Sequence, residues 1–261
     1  MLELFHWEPN GGSLKVLIAL HEKGLPFASR WVDFLALEQY TLAPFADPEA
    51  AITIEGEAPV LVHDGHVISD SFNTILYLDE AVPQGPLQPA TAEGQWRIQV
   101  WARQFAEVLA PAVATLGCQR HLTPALARRD RAALAAAIAR IAVHERRSAW
   151  QAALDGDYPE ALLEDSRRKV GLVLGKVEAA LEQSEWLLAG GYSLADIDLF
   201  GLANALPALL PEHAGVAARP RFNAWLERMR ARAAVRQALA TSRSGRPETA
   251  FVPGPEHSRW G

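Results

Sequence analysis

A serine at the start of a predicted helix is the first residue in this sequence that could do chemistry. Ser13 follows the turn-forming residues Pro-Asn-Gly-Gly, and apolar residues follow it at helical spacing. Its hydroxyl could cap the helix, or it could donate to an anion that the helix N-terminus also stabilises. Asn10 offers similar alternatives, because its amide can donate to an anion or form part of the turn. The spacing leaves these interpretations open.

A second polar group, the pair Asp70 and Ser71, precedes another apolar stretch with helical spacing. Either residue could cap that helix. A helix N-terminus with a hydroxyl also suits a bound carboxylate, and an aspartate suits an ammonium group. Pro59 opens an apolar strand, where the missing N–H is tolerated. Ser193 and Asp196 match the capping-box pattern, for which we predict a structural role.

Composition excludes several classes of protein. The chain has 261 residues, is 49% hydrophobic and carries a formal charge of -6, which is too apolar for a disordered chain. It has no dense basic stripe, no apolar run near the ~18 residues of a membrane span, and no basic region typical of a signal peptide. Cys118 is the single cysteine, and the histidines show no metal-ligand spacing. We therefore expect a soluble, cytoplasmic protein without a metal, nucleic-acid or membrane partner.

The order of elements predicts a small α/β domain at residues 1–82. An apolar strand, LELFHW, precedes the Ser13 helix, and a second strand follows it. After an irregular stretch at residues 35–57, two β-branched runs flank Asp64 and Gly65, which is typical of a tight hairpin. A right-handed βαβ unit extended by this hairpin and a helix is a thioredoxin-like arrangement.

The rest of the chain predicts a second, all-helical domain. Residues 83–90, PQGPLQPA, have the composition of a linker. Residues 91–242 carry apolar residues at helical spacing, and residues 243–261 are rich in glycine, proline and charge. We expect the last segment to be a loose, extended tail.

Three stretches resemble the glutathione S-transferase family in their order and spacing: the strand, turn and Ser13 helix; EAPVLVHDGHVISDS at residues 57–71; and YSLADI at residues 192–197. The resemblance covers nearly the whole chain. A narrower resemblance is to the bacterial β-etherase branch, glutathione-dependent enzymes that cleave β-aryl ethers of lignin-derived compounds. It rests on GGSLKV, HEKGLPF, FLALEQY, WQAALDGDYP and EDSRRKVG, and on the long helical insert between Pro124 and Pro159.

The resemblance implies that glutathione is the cosubstrate. A free thiol has a pKa near ~8.5, and the thiolate is the nucleophile. A transferase must therefore lower the pKa of that thiol, and Ser13, with Asn10 as the alternative, is the implied donor. Tyrosine-type activation in the first loop is excluded because the first tyrosine is Tyr40. The loop has no cysteine, and Cys118 is most simply a buried apolar residue.

The same resemblance implies the rest of the glutathione site. Ala58 and Pro59 would form a cis peptide, with the Ala58 backbone pairing the cysteinyl amide. Asp70 and Ser71 would hold the γ-glutamyl end. Gln39 and Tyr40 would contact the glycyl end. Glu57 departs from the neutral amide often found at its position, so the resemblance implies no side-chain contact there.

The acceptor site is expected between the domains, where small-molecule pockets often form. Trp7 and Pro9 from the first loop, and Trp101 and Phe105 on the first helix of the second domain, are the candidate residues for stacking a hydrophobic, aromatic electrophile. The family also implies a homodimer. Two alternatives to a β-etherase remain: a transferase that conjugates, dehalogenates or isomerises other electrophiles, and a non-catalytic binding module with this fold.

Overall fold

A computed structural model describes residues 1–42, 58–83 and 85–254. Most of the predicted irregular stretch, Glu57 and residues 255–261 lie outside this range. The first domain contains a four-stranded sheet of order β2-β1-β3-β4. Its strands and helices are β1 (Leu2–His6), α1 (Gly11–Glu22), β2 (Ala28–Trp31), β3 (Val60–His63), β4 (His66–Ile68) and α2 (Ser71–Ala81).

The sheet confirms the predicted thioredoxin-like arrangement. β1 and β2 are parallel and joined through α1, whereas β3 is antiparallel to β1 and β4 is antiparallel to β3. The hairpin turn has φ of 49° at Asp64 and 87° at Gly65. Two positive φ values are what the favoured two-residue hairpin turn requires, and Asp-Gly adopts them readily. The turn therefore determines the register that places Pro59 at the start of β3.

The second domain is helical. Its helices are α3 (Ala92–Gln104), α4 (Ala110–Gly117), α5 (Thr123–Leu126), α6 (Arg131–Ile138), α7 (His144–Asp155), α8 (Glu160–Gln183), α9 (Leu194–Ala203), α10 (Leu206–Leu209), α11 (Pro211–Ala214), α12 (Pro220–Ala231) and α13 (Ala233–Leu239). None of the helices in the described residues is long and apolar enough to cross a membrane.

Two π-helical turns join α3, α4 and α5 into one continuous helical path. They span Phe105–Leu109 and Cys118–Leu122. Each turn ends two residues before a proline, Pro111 or Pro124. Proline has no N–H to donate to the preceding turn, so the local hydrogen-bond pattern must adjust there. The first π turn brings Ala106, Glu107 and Val108 to the cavity described below.

The capping box of α9 forms as predicted. The Asp196 carboxylate accepts hydrogen bonds from the backbone N–H and the hydroxyl of Ser193, at 3.0 and 3.2 Å. It also accepts from the N–H of Leu187 at 3.1 Å and from Trp225 Nε1 at 2.9 Å. Burial raises the pKa of Asp196 to about 6, although the four hydrogen bonds oppose this shift. One buried carboxylate therefore connects the start of α9 to α12.

The C-terminal tail differs from the expected loose extension. Ser242, Arg243 and Ser244 are hydrogen-bonded to the Glu8 carboxylate, and Phe251 is 7% exposed within the core. The prediction of a loose tail is therefore wrong for residues 243–254. Composition misled the prediction because the partners of the tail lie in the first loop and in α4, far away in the sequence.

Candidate active site

A cavity of about 610 Å³ lies between the two domains. The first domain contributes its first loop and the N-termini of α1 and α2. The second domain contributes residues of the α3–α4 region, α7, α8 and α9, together with the tail. Of the predicted site residues, the lining includes Trp7, Asn10, Ser13, Gln39, Tyr40, Ala58, Asp70 and Ser71.

The first loop is held in place by a buried histidine. The ring nitrogens of His6 lie 2.7 Å from the Trp7 carbonyl oxygen and 2.7 Å from Ser29 Oγ. Burial lowers the pKa of His6, so the neutral ring can donate to the carbonyl and accept from the hydroxyl. This pairing positions the backbone of Trp7 just before α1.

Ser13 is the third residue of α1 and does not act as its N-cap. The cap position belongs to Asn10, whose side chain makes no cap hydrogen bond. The N–H of Trp7 donates to Ser13 Oγ over a long 3.4 Å. Within the described residues, the Ser13 hydroxyl donates no hydrogen bond, although the side chain lines the cavity. Its proton is therefore available to an acceptor in the cavity, next to the helix N-terminus.

Asn10 uses its amide differently from the sequence-based alternatives. Its Nδ2 donates to the carbonyl oxygen of Ala250 at 2.9 Å. The residue therefore joins the first loop to the C-terminal tail while it lines the same cavity as Ser13. This contact points to a positioning role for Asn10, since part of its donor capacity is already engaged.

Gly12 allows α1, β3 and α2 to meet closely. A Cβ at Gly12 would lie 2.9 Å from Pro59 Cδ and 3.1 Å from Ser71 Cβ. The Ala58–Pro59 peptide is cis, as the resemblance implied. Pro59 supports the site from behind and does not line the cavity, whereas Ala58 does.

We predict that Gly12→Ala weakens the binding of glutathione, the cosubstrate that the resemblance implies, by about tenfold, because the added methyl group pushes Pro59 and Ser71 away from α1. Isothermal titration with glutathione measures this effect. Gly24→Ala is not a suitable control, because φ there is 62°, whereas Gly175→Ala in α8 meets only Arg219 at 3.9 Å. Unchanged glutathione affinity in Gly12→Ala would show that this close contact does not shape the site.

Asp70 and Ser71 begin α2 at the cavity. Asp70 is the N-cap, and its Oδ1 accepts from the N–H of Asn73 at 2.9 Å. Its φ is 64°, a left-handed value that is uncommon for a residue with a side chain. Such backbone conformations persist at functional sites when the surroundings impose them. The pair thus presents a carboxylate, a hydroxyl and a helix N-terminus to one end of the cavity.

A buried ion pair joins the two domains at the cavity. Lys15 Nζ of α1 lies 2.5 Å from Asp198 Oδ1 of α9, and both side chains are almost fully buried. Burial raises the pKa of Asp198, the Lys15 ammonium opposes that shift, and the Asp70 carboxylate adds to it. A Cβ at Gly201 would lie 2.4 Å from Lys15 Cγ, so glycine permits this approach of α9. The pair is not predictable from the sequence, because no local pattern connects the two positions.

Gln39 and Tyr40 also line the cavity, and the second is connected to α7. Trp150 Nε1 donates to the Tyr40 hydroxyl at 3.0 Å. Gln39 is buried, at 2% exposure. Arg146 and Lys169 line the cavity together with Trp150. The sequence did not indicate them as site residues, because the spacing of their helices indicates only an amphipathic face.

The four predicted acceptor residues have different positions. Trp7 lines the cavity and stacks on Phe34, with ring centroids 5.4 Å apart. Pro9 is buried outside the lining. Trp101 and Phe105 stack on each other, with centroids 5.4 Å apart, and Phe105 is 0% exposed. Neither ring lines the cavity. Phe105 lies in the core and Trp101 is half-buried against it, so their predicted acceptor role is corrected to a packing role.

The tail contributes five residues to the cavity wall: Ala250, Phe251, Val252, Pro253 and Gly254.

Cys118 is buried, and burial raises the pKa of its thiol. It does not line the cavity. The Ser13 hydroxyl, at the N-terminus of α1, lines the cavity instead.

Comparison with known proteins gives the family. Residues 13–81 match the family model of the glutathione S-transferase N-terminal domain, and residues 123–233 match that of the C-terminal domain. Protein LigF of Sphingobium sp. strain SYK-6 is 29% identical over 93% of this chain and 94% of its own length. Glutathione S-transferase 3 of Zea mays is 26% identical over 92% of this chain and 93% of its own length.

Solved structures agree with these matches. The crystal structure of the β-etherase LigF from Sphingobium sp. strain SYK-6 has a TM-score of 0.83 at 30% identity, covering 92% of this chain and 99% of that one. A glutathione transferase from Burkholderia graminis, solved with two glutathione molecules per subunit, has a TM-score of 0.65 at 22% identity, with 94% and 89% coverage, and shows the shared fold. The chain therefore belongs to the glutathione S-transferase family.

Proposed function

We propose that this glutathione transferase is a β-etherase, which attacks lignin-derived aromatic ketones with the thiolate of glutathione. The observation that carries the activation step is the Ser13 hydroxyl, which lines the cavity at the N-terminus of α1 with its proton available. The similarity to LigF over most of both chains supports the substrate class.

The donors and charges in the first domain fit glutathione. The helix N-terminus and hydroxyl at Ser71 suit the γ-glutamyl carboxylate, and the Asp70 carboxylate suits the ammonium group. Ala58 precedes Pro59 and lines the cavity, and we assign its backbone to pairing with the cysteinyl amide. We assign the glycyl end to Gln39 and Tyr40, which line the same cavity.

Ser13 has one task in the proposed mechanism. It donates a hydrogen bond to the glutathione sulfur and, with the α1 N-terminus, favours the thiolate over the thiol. The thiolate attacks the carbon that is α to the ketone and bears the aryloxy group. The thiol proton passes to water when the thiolate forms. The carbon–oxygen bond breaks with its electron pair on oxygen, and the phenolate takes a proton back from water. The products are a glutathione thioether and a phenol, so the reaction needs no redox partner.

Incubation with glutathione and a fluorogenic β-aryl ether ketone tests the substrate class. We expect equal amounts of phenol and glutathione thioether from at least one enantiomer, measured by fluorescence and mass spectrometry. A reaction without glutathione is the control. If neither enantiomer releases phenol but an aryl halide is conjugated, the general transferase alternative replaces the etherase.

Glutathione–agarose retention tests the non-catalytic alternative. Binding without thiolate absorbance or turnover of either acceptor would favour a binding module, whereas no retention would overturn the whole glutathione assignment. The homodimer and the place in lignin degradation, which the family resemblance implies, and the cytoplasmic location, which the composition indicates, stay predictions. Sedimentation of the purified chain measures the first of these.

A further inference from the structure

The C-terminal tail is fastened to the first domain by a buried carboxylate. Glu8 is only 4% exposed. Its Oε2 accepts from Ser242 Oγ at 2.5 Å, and its Oε1 accepts from the N–H groups of Arg243 at 3.1 Å and Ser244 at 2.8 Å. A buried carboxylate is costly unless it is hydrogen-bonded. Glu8 therefore ties the position of the tail to the loop that precedes Ser13.

Two further contacts guide the tail across the first domain. The Arg243 guanidinium carbon lies 4.3 Å from the centre of the Trp31 ring, a cation–π contact. Asn10 Nδ2 donates to the Ala250 carbonyl oxygen at 2.9 Å. The tail therefore has a defined path from the end of α13 to the cavity.

Phe251 anchors the tail to the second domain. Its ring stacks on His121, with centroids 5.7 Å apart and planes 10° apart. A Cβ at Gly117 would lie 2.1 Å from the Phe251 ring, so only glycine at the end of α4 leaves room for the ring. Gly117 itself does not line the cavity, whereas Phe251 does.

The wall that the tail builds is apolar. Residues 250–254 are Ala, Phe, Val, Pro and Gly, and all five line the cavity. The groups suited to glutathione lie instead on the first domain, with Ser13 for the sulfur and Asp70 and Ser71 for the γ-glutamyl end. An aromatic acceptor gains most from apolar contact, because its rings carry few groups that hydrogen-bond.

We propose that residues 250–254 form the acceptor-binding wall and that Phe251 determines which aromatic acceptors fit. Glu8, Asn10 and Gly117 position this wall. The inference rests on the proposed glutathione transferase function and deepens it by assigning acceptor selectivity to the tail. Under this proposal, acceptor affinity depends on residues 250–254, whereas glutathione activation depends on Ser13 in the first domain.

Gly117→Ala and Phe251→Ala test the proposal by disturbing the contact between Gly117 and the Phe251 ring in two different ways. Gly117→Ala displaces the ring, and Phe251→Ala removes it. Each should raise the KM for the aromatic acceptor by about tenfold while the KM for glutathione changes by less than about twofold. Gly171→Ala is the matched control, because it also replaces a helical glycine but meets only His213 Nδ1 at 3.6 Å. It should leave both KM values unchanged.

The double variant Gly117→Ala/Phe251→Ala shows whether the two changes act through the same contact. The added methyl group has no ring to displace once Phe251 is alanine, so the double variant should match Phe251→Ala alone. Independent, additive effects would overturn the assigned role of Gly117. An acceptor KM within about twofold of wild type in Phe251→Ala, or an equal rise in the glutathione KM, would overturn the acceptor wall itself.

A binding measurement keeps the result independent of the reaction. Fluorescence titration with 8-anilinonaphthalene-1-sulfonate, in the presence of glutathione, reports an aromatic ligand in the cavity without turnover. We expect about fivefold weaker binding in Phe251→Ala and no change in Gly171→Ala. If wild type turns over no acceptor, the proposed function fails, and this titration still decides the wall: unchanged probe affinity in Phe251→Ala overturns it.

Discussion

Replacing Ser13 with alanine should lower kcat/KM with respect to glutathione by about one to two orders of magnitude, because the variant loses one donor to the reacting anion. A hydrogen bond to a charged group contributes ~1.5–3 kcal/mol. At ~1.36 kcal/mol per pKa unit, the pKa of the bound thiol should rise by about one to two units in the variant. Its activity should therefore recover partly as the pH rises.

The measurement is the pH profile of kcat/KM together with the ultraviolet absorbance of the bound thiolate. Ser13→Ala also leaves the Trp7 N–H without its acceptor, which costs ~1–3 kcal/mol of stability, so activity is compared per folded molecule after thermal unfolding is measured.

Asn10→Ala is the matched variant for this experiment. Asn10 lines the same cavity but donates to the tail, so its loss should raise the acceptor KM and leave the thiol pKa near that of wild type. If Asn10→Ala shifts the thiol pKa and Ser13→Ala does not, Asn10 is the activating residue, and Ser13 serves only the loop backbone.

Asp196→Ala should abolish stable folding of the helical domain. The carboxylate satisfies buried donors on Leu187, Ser193 and Trp225, and each donor left unsatisfied costs ~1–3 kcal/mol. Their sum approaches the whole ~5–15 kcal/mol stability of a typical protein. Urea unfolding followed by circular dichroism measures the loss. Native-like stability in the variant would show that water replaces the carboxylate at no cost.

Asp196→Asn isolates the charge of the same residue. The pKa of Asp196 in the folded protein is about 6, above its ordinary value of 3.8, because of burial. The folded state thus binds this proton more tightly than the unfolded state between these values. The contribution of the carboxyl to stability is full below about pH 4 and declines as the pH rises through about 6. The stability advantage of wild type over Asp196→Asn should shrink from pH 4 to pH 7, and an advantage that grows instead would contradict the raised pKa.

Local patterns predicted the features that depend on neighbouring residues. Asp64-Gly65 indicated the hairpin because its backbone preference is intrinsic, and Ser193 with Asp196 indicated the start of α9 because their partners lie within one turn. The start of α2 at Ser71 followed from the apolar spacing alone. The implied positions of Ser13, Asp70 and Ser71 in one cavity depended on the family resemblance, since spacing alone left each as a helix cap.

The features that the sequence did not predict depend on contacts between residues far apart in the chain. Asn10 donates to a carbonyl 240 positions away, Lys15 pairs with Asp198 across the domains, and the tail docks on Glu8. Trp101 and Phe105 carry the same spacing whether they face a cavity or the core, and packing placed Phe105 in the core with Trp101 half-buried against it. A sequence pattern reports which side of a helix is apolar, but only the tertiary structure decides what that side meets, because burial and hydrogen bonding depend on the partner and not on the distance along the chain.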